Sequence, residues 1–283
     1  MTRNGWPGRP DISLRLSAVM NIIFFTQEDP FYVKAFFDEF FSNFKPLHEI
    51  KAMVISRAMG KNSTWNLARQ MYEFYGLFDF FRVGFRYSYV KLMGTRRIHT
   101  SDSGPIPRTY TINQLARAYG LNVIERSDLN STNFQQFISG YNPDLFISVA
   151  SPVIFKQDLI DLPRLDCINI HTAPLPKYKG MLPSFWQVYH GEKEAGITIH
   201  RIDSGIDTGD IITQGYVPIE PDQTLNGLIL KTKKQGARLM IDTIEAFRSG
   251  KVHYKKMKGK GSYFSFPTRE DAKEFKRRGK RVM

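Results

Sequence analysis

The chain has 283 residues, 42% apolar and 24% charged, which is ordinary globular composition and enough for one large domain with appendages or two small ones. A single cysteine, Cys167, excludes a disulfide framework and a cysteine-based zinc site and points to a reducing compartment such as the cytoplasm. The formal net charge of +13 attracts anionic partners, while no apolar run of about 18 residues is present to cross a membrane and the Arg-rich start is no secretory signal.

Taken in chain order, residues 1–19 read as a disordered leader. Asn21–Phe25 is a short apolar strand, and after Gln27-Glu28-Asp29-Pro30 an apolar periodicity predicts a helix through Phe41. Lys51–Ser56 is a second strand, Thr111–Tyr119 a helix and Asn122–Ile124 a brief strand. Asn130–Gly140 is helical, Asp144–Ala150 a strand buried on both faces, Lys156–Leu162 a helix and Cys167–His171 the next strand. An alternating strand, Ile197–Ile202, and a long helix from Thr224 to about Arg248 follow. This order predicts an α/β fold with a doubly wound, mostly parallel sheet. The expected organisation is a catalytic domain over 20–250, with a helical insertion at 57–110, and a basic extension at 251–283.

Two segments stand apart in composition. Between Trp65 and Val90, ten aromatics are interleaved with Arg82 and Arg86. They read either as a helical pair covering one face of the sheet or as a basic–aromatic surface that meets lipid headgroups or RNA. From Lys251 onward, twelve Lys/Arg stand against three Asp/Glu. That density reads as a solvated, partly disordered tail or as a weak contact with anionic lipid or RNA, peripheral to a membrane in the first case.

The chemistry is concentrated in two places. In a strand, alternate side chains share a face, so Asn169 and His171 point together. The Pro- and Gly-punctuated segment Thr172–Gly180 after them is a loop, and ligands of open α/β sheets bind at the carboxyl ends of strands. Asp203-Ser204-Gly205-Ile206-Asp207-Thr208-Gly209-Asp210 is a tight loop presenting carboxylates and backbone N–H groups. It lacks the alternating oxygen ligands of a calcium loop, so no metal is expected. His200 lies opposite Ile197 and Ile199 and can look into the same site.

Asn169-Ile170-His171, Leu175–Gly180, Gly196–His200 and Asp203–Gly209, in that order and at these separations, resemble the catalytic half of the folate-dependent formyltransferases. The resemblance covers roughly Met20 to Arg248 and is strongest from Asp144 onward. It implies that Asn169, His171 and Asp207 are catalytic, with His200 supporting. It implies 10-formyltetrahydrofolate as co-substrate, an amine as acceptor, and neither a metal nor a covalent intermediate. Asn169 and a His171 N–H would receive the developing oxyanion, and Asp207 would take the proton of the attacking amine and keep His171 a donor. The pterin would rest on the backbone of Ala150, Val153, Ile154 and Phe155 and on Asp203, Gly205, Ile206 and Gly209.

Departures from the family narrow the acceptor. A glycine- and serine-rich phosphate loop is common after the first strand, but Glu28 and Asp29 stand here and would repel a phosphate. Thr172-Ala173-Pro174 replaces a Ser-Leu-Leu type sequence. Only 36 residues follow Phe247, too few for the barrel that methionyl-tRNA enzymes carry. The expected activity is formyl transfer to a small or nucleotide-linked amine. Its rivals are a methionyl-tRNA enzyme without its barrel, a 10-formyltetrahydrofolate hydrolase, and a silent binding module. The sequence gives no oligomeric state.

Overall fold

Seven strands form one sheet in a computed structural model that describes residues 19–56, 64–94 and 108–283. They are β1 (Ile22–Gln27), β2 (Ile50–Ser56), β3 (Val123–Glu125), β4 (Leu145–Val149), β5 (Asp166–His171), β7 (Glu194–Arg201) and β8 (Ile211–Pro218), in the spatial order β3-β2-β1-β4-β5-β7-β8. The first five are parallel, and β7 and β8 add an antiparallel edge. The expected doubly wound sheet is present, with its change of direction between β1 and β4. The expected leader lies outside the described residues except for Val19, as do parts of the expected 57–110 insertion.

Strand composition follows from burial on both faces. Ile22 and Phe24 face one core with α1 (Val33–Asn43) and α8 (Leu225–Arg248); Ile23 and Phe25 face another with α5 (Thr132–Ser139) and α6 (Gln157–Ile160). Phe24 meets Phe37 and Phe40 edge-on, with ring centroids 5.6 and 5.1 Å apart. α8 can press on β5 and β7 because Gly236 carries no side chain: a Cβ there would meet Ile170 at 2.6 Å.

The carboxyl-terminal 251–283 segment corrects the reading of a disordered tail. Lys255 bridges to Ile211, and β9 (Tyr263–Phe264) pairs with the two-residue strand β6 (Lys179–Gly180). Helix α9 (Arg269–Arg277) begins with a Thr268–Asp271 capping box. Its Phe275, fully buried, stacks on Phe185 of α7 (Pro183–Tyr189), with centroids 4.7 Å apart. The cations find acceptors that a count of carboxylates overlooks. Arg277 and Arg278 share Glu274, while Arg278, Lys276 and Arg281 donate to the carbonyls of Tyr189, Tyr75 and Asp222.

The aromatic segment forms α2 (Thr64–Tyr75) and α3 (Leu77–Gly94). α2 joins the core through Phe74, which contacts Phe185 and Phe266. α3 buries no residue, so it does not serve as a cover for the sheet. No helix among the described residues is long and apolar enough to cross a membrane.

Candidate active site

β5 delivers Asn169 half-buried and His171 buried on one face, next to His200 of β7, whose backbone is the register partner of Asn169. His200 Nδ1 donates to the Arg201 carbonyl at 2.7 Å, and its Nε2 lies 3.2 Å from Asn169 Nδ2. This contact orients the Asn169 amide. Asp207 reaches both rings, with Oδ1 3.6 Å from His200 Nε2 and Oδ2 3.5 Å from His171 Nδ1. The four predicted residues form one cluster.

The loops holding the cluster account for the motifs. Asp203 Oδ1 accepts from Gly205 N–H and the Thr208 hydroxyl, folding the loop back on itself. Gly209 is required because a Cβ would collide with the Arg201 carbonyl oxygen. Asp207 itself adopts φ +52°, the left-handed region that costs a non-glycine residue energy. Its Oδ2 accepts from the Gly180 N–H at 2.9 Å. Thr172–Leu175 is held by Gln187 on the Thr172 carbonyl and by Thr198 on Ala173 and Leu175. Gly196 lets β7 lie against Pro174, which a Cβ would strike at 2.6 Å.

Electrostatics differentiate the carboxylate from the imidazole. Burial alone would raise the pKa of Asp207, but His200, His171 and the Gly180 N–H together bring it down to about 2. For His171, burial is the largest influence and lowers the pKa; Asp207 and the Tyr178 carbonyl oppose it without reversing it. Asp207 thus pushes the ring's pKa upward, but burial outweighs it. His171 Nε2 donates to the Tyr178 carbonyl at 2.8 Å, so in the neutral ring its one N–H is already used. Nδ1 lies 3.5 Å from Asp207 Oδ2, placed for a proton on it to be held against the carboxylate.

The segment assigned to the pterin is less uniform than the sequence suggested. The Phe155 side chain packs edge-on against Phe25 at 5.0 Å and leaves only its backbone for a ligand. Ile154 and Ile206 are exposed, and Ala150 has φ +55°. A cavity of about 360 Å³ lies between α6 and the Asp203–Asp210 loop, a size that suits a fused heterocycle. Asp203 and Gly209 line it together with Arg201, Ser204 and Asp210, whereas Asn169, His171 and Asp207 do not.

At the end of β1, Glu28 is occupied as a cap, accepting from Ile112 and Asn113 at the start of α4 (Ile112–Ala118). Asp29 accepts from Phe31 and Tyr32. Sequence reading missed Lys233. It sits one turn after Ile229 and one before Gly236 at the half-buried margin of α8, where burial lowers its pKa and Asp29 pulls the other way. A lysine at i+4 from a buried isoleucine was the signal. Its charge is felt at His171.

A family model described as formyl transferase matches residues 100–244, just over half the chain. The chain belongs to the formyl transferase family. Among its relatives, a methionyl-tRNA formyltransferase of Agathobacter rectalis is 34% identical over 143 residues, 50% of this chain and 46% of that protein. One of Desulforamulus reducens is 36% identical over 130 residues, 46% of this chain and 41% of that protein. The chain thus spans less than half the length of these relatives. The fold matches phosphoribosylglycinamide formyltransferase from Streptococcus pneumoniae (TM-score 0.53, 16% identity, 81% of this chain and 98% of that one). It also matches an N-formyltransferase from Helicobacter canadensis solved with folinic acid and dTDP-3-aminofucose (TM-score 0.51, 20% identity, 87% of this chain and 71% of that one). The matched span contains all four clustered residues, on the two strands and the loop that converge at the carboxyl end of β5.

Proposed function

We propose that this formyl transferase family member moves a formyl group from 10-formyltetrahydrofolate to the amine of a small or nucleotide-linked acceptor by direct attack. The observation that carries the reading is the convergence of Asn169, His171, His200 and Asp207 within hydrogen-bonding or ion-pairing reach. The donor supplies a formyl carbon already activated for attack by nitrogen. Asn169, oriented by His200, offers an N–H to the oxygen that gains negative charge, a contribution of about 3 kcal/mol. His171 Nδ1 takes the proton lost by the attacking nitrogen, and ionised Asp207 stabilises the imidazolium that results. Collapse of the tetrahedral adduct then breaks the bond between the formyl carbon and N10 of the folate, and N10 takes up that proton to leave as tetrahydrofolate. Asp207, with its low pKa, is a poor holder for the proton between these steps; the His171–Asp207 pair is a better one. The Asp203–Asp210 loop is assigned to the donor, and the Asp29–Lys233 end of β1 to the acceptor.

The test is turnover with purified protein, 10-formyltetrahydrofolate and a pool of amines. Asn169→Ala, His171→Ala and Asp207→Ala should each lower turnover at least about a hundredfold while the fold persists. Near-normal rates in two of the three would overturn the assignment. Because the amine must be unprotonated and His171 neutral, the rate should rise between about pH 6 and pH 8; a steady fall across that range would reject this order of proton transfers.

A further inference from the structure

Helix α3 contacts Phe31, Tyr110 and Gln114 through its second half. Tyr87 and Arg86 rest on Phe31, Tyr89 meets Tyr110, and Gln114 donates to the carbonyls of Met93 and Gly94. Its first half presents Phe78, Phe81 and Phe85 with 88%, 65% and 79% of their surface exposed, beside exposed Leu77. Steps of three and four residues place these rings in one stripe about 10 Å long. Arg82 and Arg86 flank the stripe on one side and Lys91 on the other, against a single carboxylate in the helix, Asp79, so the margins are net positive. An isolated exposed ring is ordinary, but three in one stripe with cationic margins are not.

We propose that this face of α3 docks on an anionic lipid bilayer, with the helix lying in the headgroup plane, the three rings entering the acyl boundary and Arg82 and Lys91 meeting the lipid phosphates and carboxylates. Charge chooses this occupant. A second copy docked on the same face would set Arg82 and Lys91 against their own images, in a chain of net charge +13 and with Asp79 the one carboxylate of α3 to answer them. Single-stranded RNA calls for a cationic groove that tracks the backbone between stacking platforms, whereas α3 offers a convex ridge. Apolar rings bordered by Arg and Lys match an interfacial helix.

Sedimentation of the full chain with vesicles tests the proposal. The protein should co-sediment with phosphatidylcholine–phosphatidylserine vesicles and remain in the supernatant with phosphatidylcholine alone. Phe78→Ser/Phe85→Ser should weaken partition at least about tenfold, since each ring leaves water on docking. Arg82→Glu/Lys91→Glu should weaken it about tenfold or more on the anionic vesicles. Circular dichroism confirms that both variants, altered only at exposed positions, remain folded. The proposal is overturned if the wild type ignores both vesicles, or if either variant partitions like the wild type. It is equally overturned if the serine variant merely abolishes a dimer on gel filtration or retention on RNA, with no vesicle binding to lose.

Discussion

The segment from Lys251 onward and helix α3 share a composition of aromatic rings among cations, and the fold treats them in opposite ways. In the first, Phe264 stacks on Trp186 at 4.7 Å and Phe275 on Phe185, so the rings become core. In the second, Phe78, Phe81 and Phe85 face solvent. What separates them is the partner elsewhere in the chain. β6 and α7 leave a strand edge and an aromatic face uncovered, and β9 and α9 fill both. The tail is also a support of the site. Ser262 Oγ accepts from the Tyr178 N–H at 2.9 Å, Tyr178 carries the carbonyl that holds His171, and the neighbouring Gly180 N–H holds Asp207.

The contrast can be broken most directly by cutting the chain after Gly250. Loss of β9 and α9 should lower the melting temperature by at least about 10 °C or abolish cooperative unfolding; an unchanged melt would show that the segment is a mere appendage. Phe275→Ala should cost about 3–5 kcal/mol in urea unfolding. Ser262→Ala should cost about 1 kcal/mol of stability, yet reduce kcat more than it changes KM, because it loosens Tyr178 behind His171. Phe81→Ser, by contrast, should change stability by no more than about 0.5 kcal/mol. A larger loss there would mean that α3 is core after all.

The cluster itself responds to acid in a direction that can be worked out. Asp207 is held at about 2, below its unfolded value of about 4, so its contribution is complete above about pH 4 and is lost as pH falls toward 2. His171, whose pKa is lowered mainly by burial, acts with the same sign: the folded state resists its protonation, and stability falls as pH drops through the unfolded histidine range near about 6.5. Urea titrations of wild type and Asp207→Asn check this. The variant should lose the steeper acid slope below about pH 4, and an identical slope would contradict the assignment.

The clustering of the candidate site was legible because its motifs are local. Asn169 and His171 share a face by strand alternation alone, and the two glycines around Asp207 announce a tight loop. The sheet was legible for a similar reason, since Ile22–Phe25 and Leu145–Val149 are apolar without alternation. Four things were not: β8, α7, the role of the tail and the acidic pair after β1. Ile211–Pro218 mixes polar and apolar residues because it is an edge strand. Lys276, Arg278 and Arg281 of the tail donate to main-chain carbonyls, which no charge count reveals. Glu28 looked like a repulsive charge and is instead the cap of a helix that begins more than eighty residues later.

The pairing of β9 with β6 has a consequence for how the protein is made. Synthesis runs from the amino end, so Asn169, His171, His200 and Asp207 are all present on a nascent chain that has not yet acquired Ser262–Phe264. Such a chain carries every side chain of the cluster, while the turn that presents the Tyr178 carbonyl and the Gly180 N–H lacks the strand that pins it. The geometry of the candidate cluster is therefore completed only once Ser262–Phe264 has been made and has paired with β6.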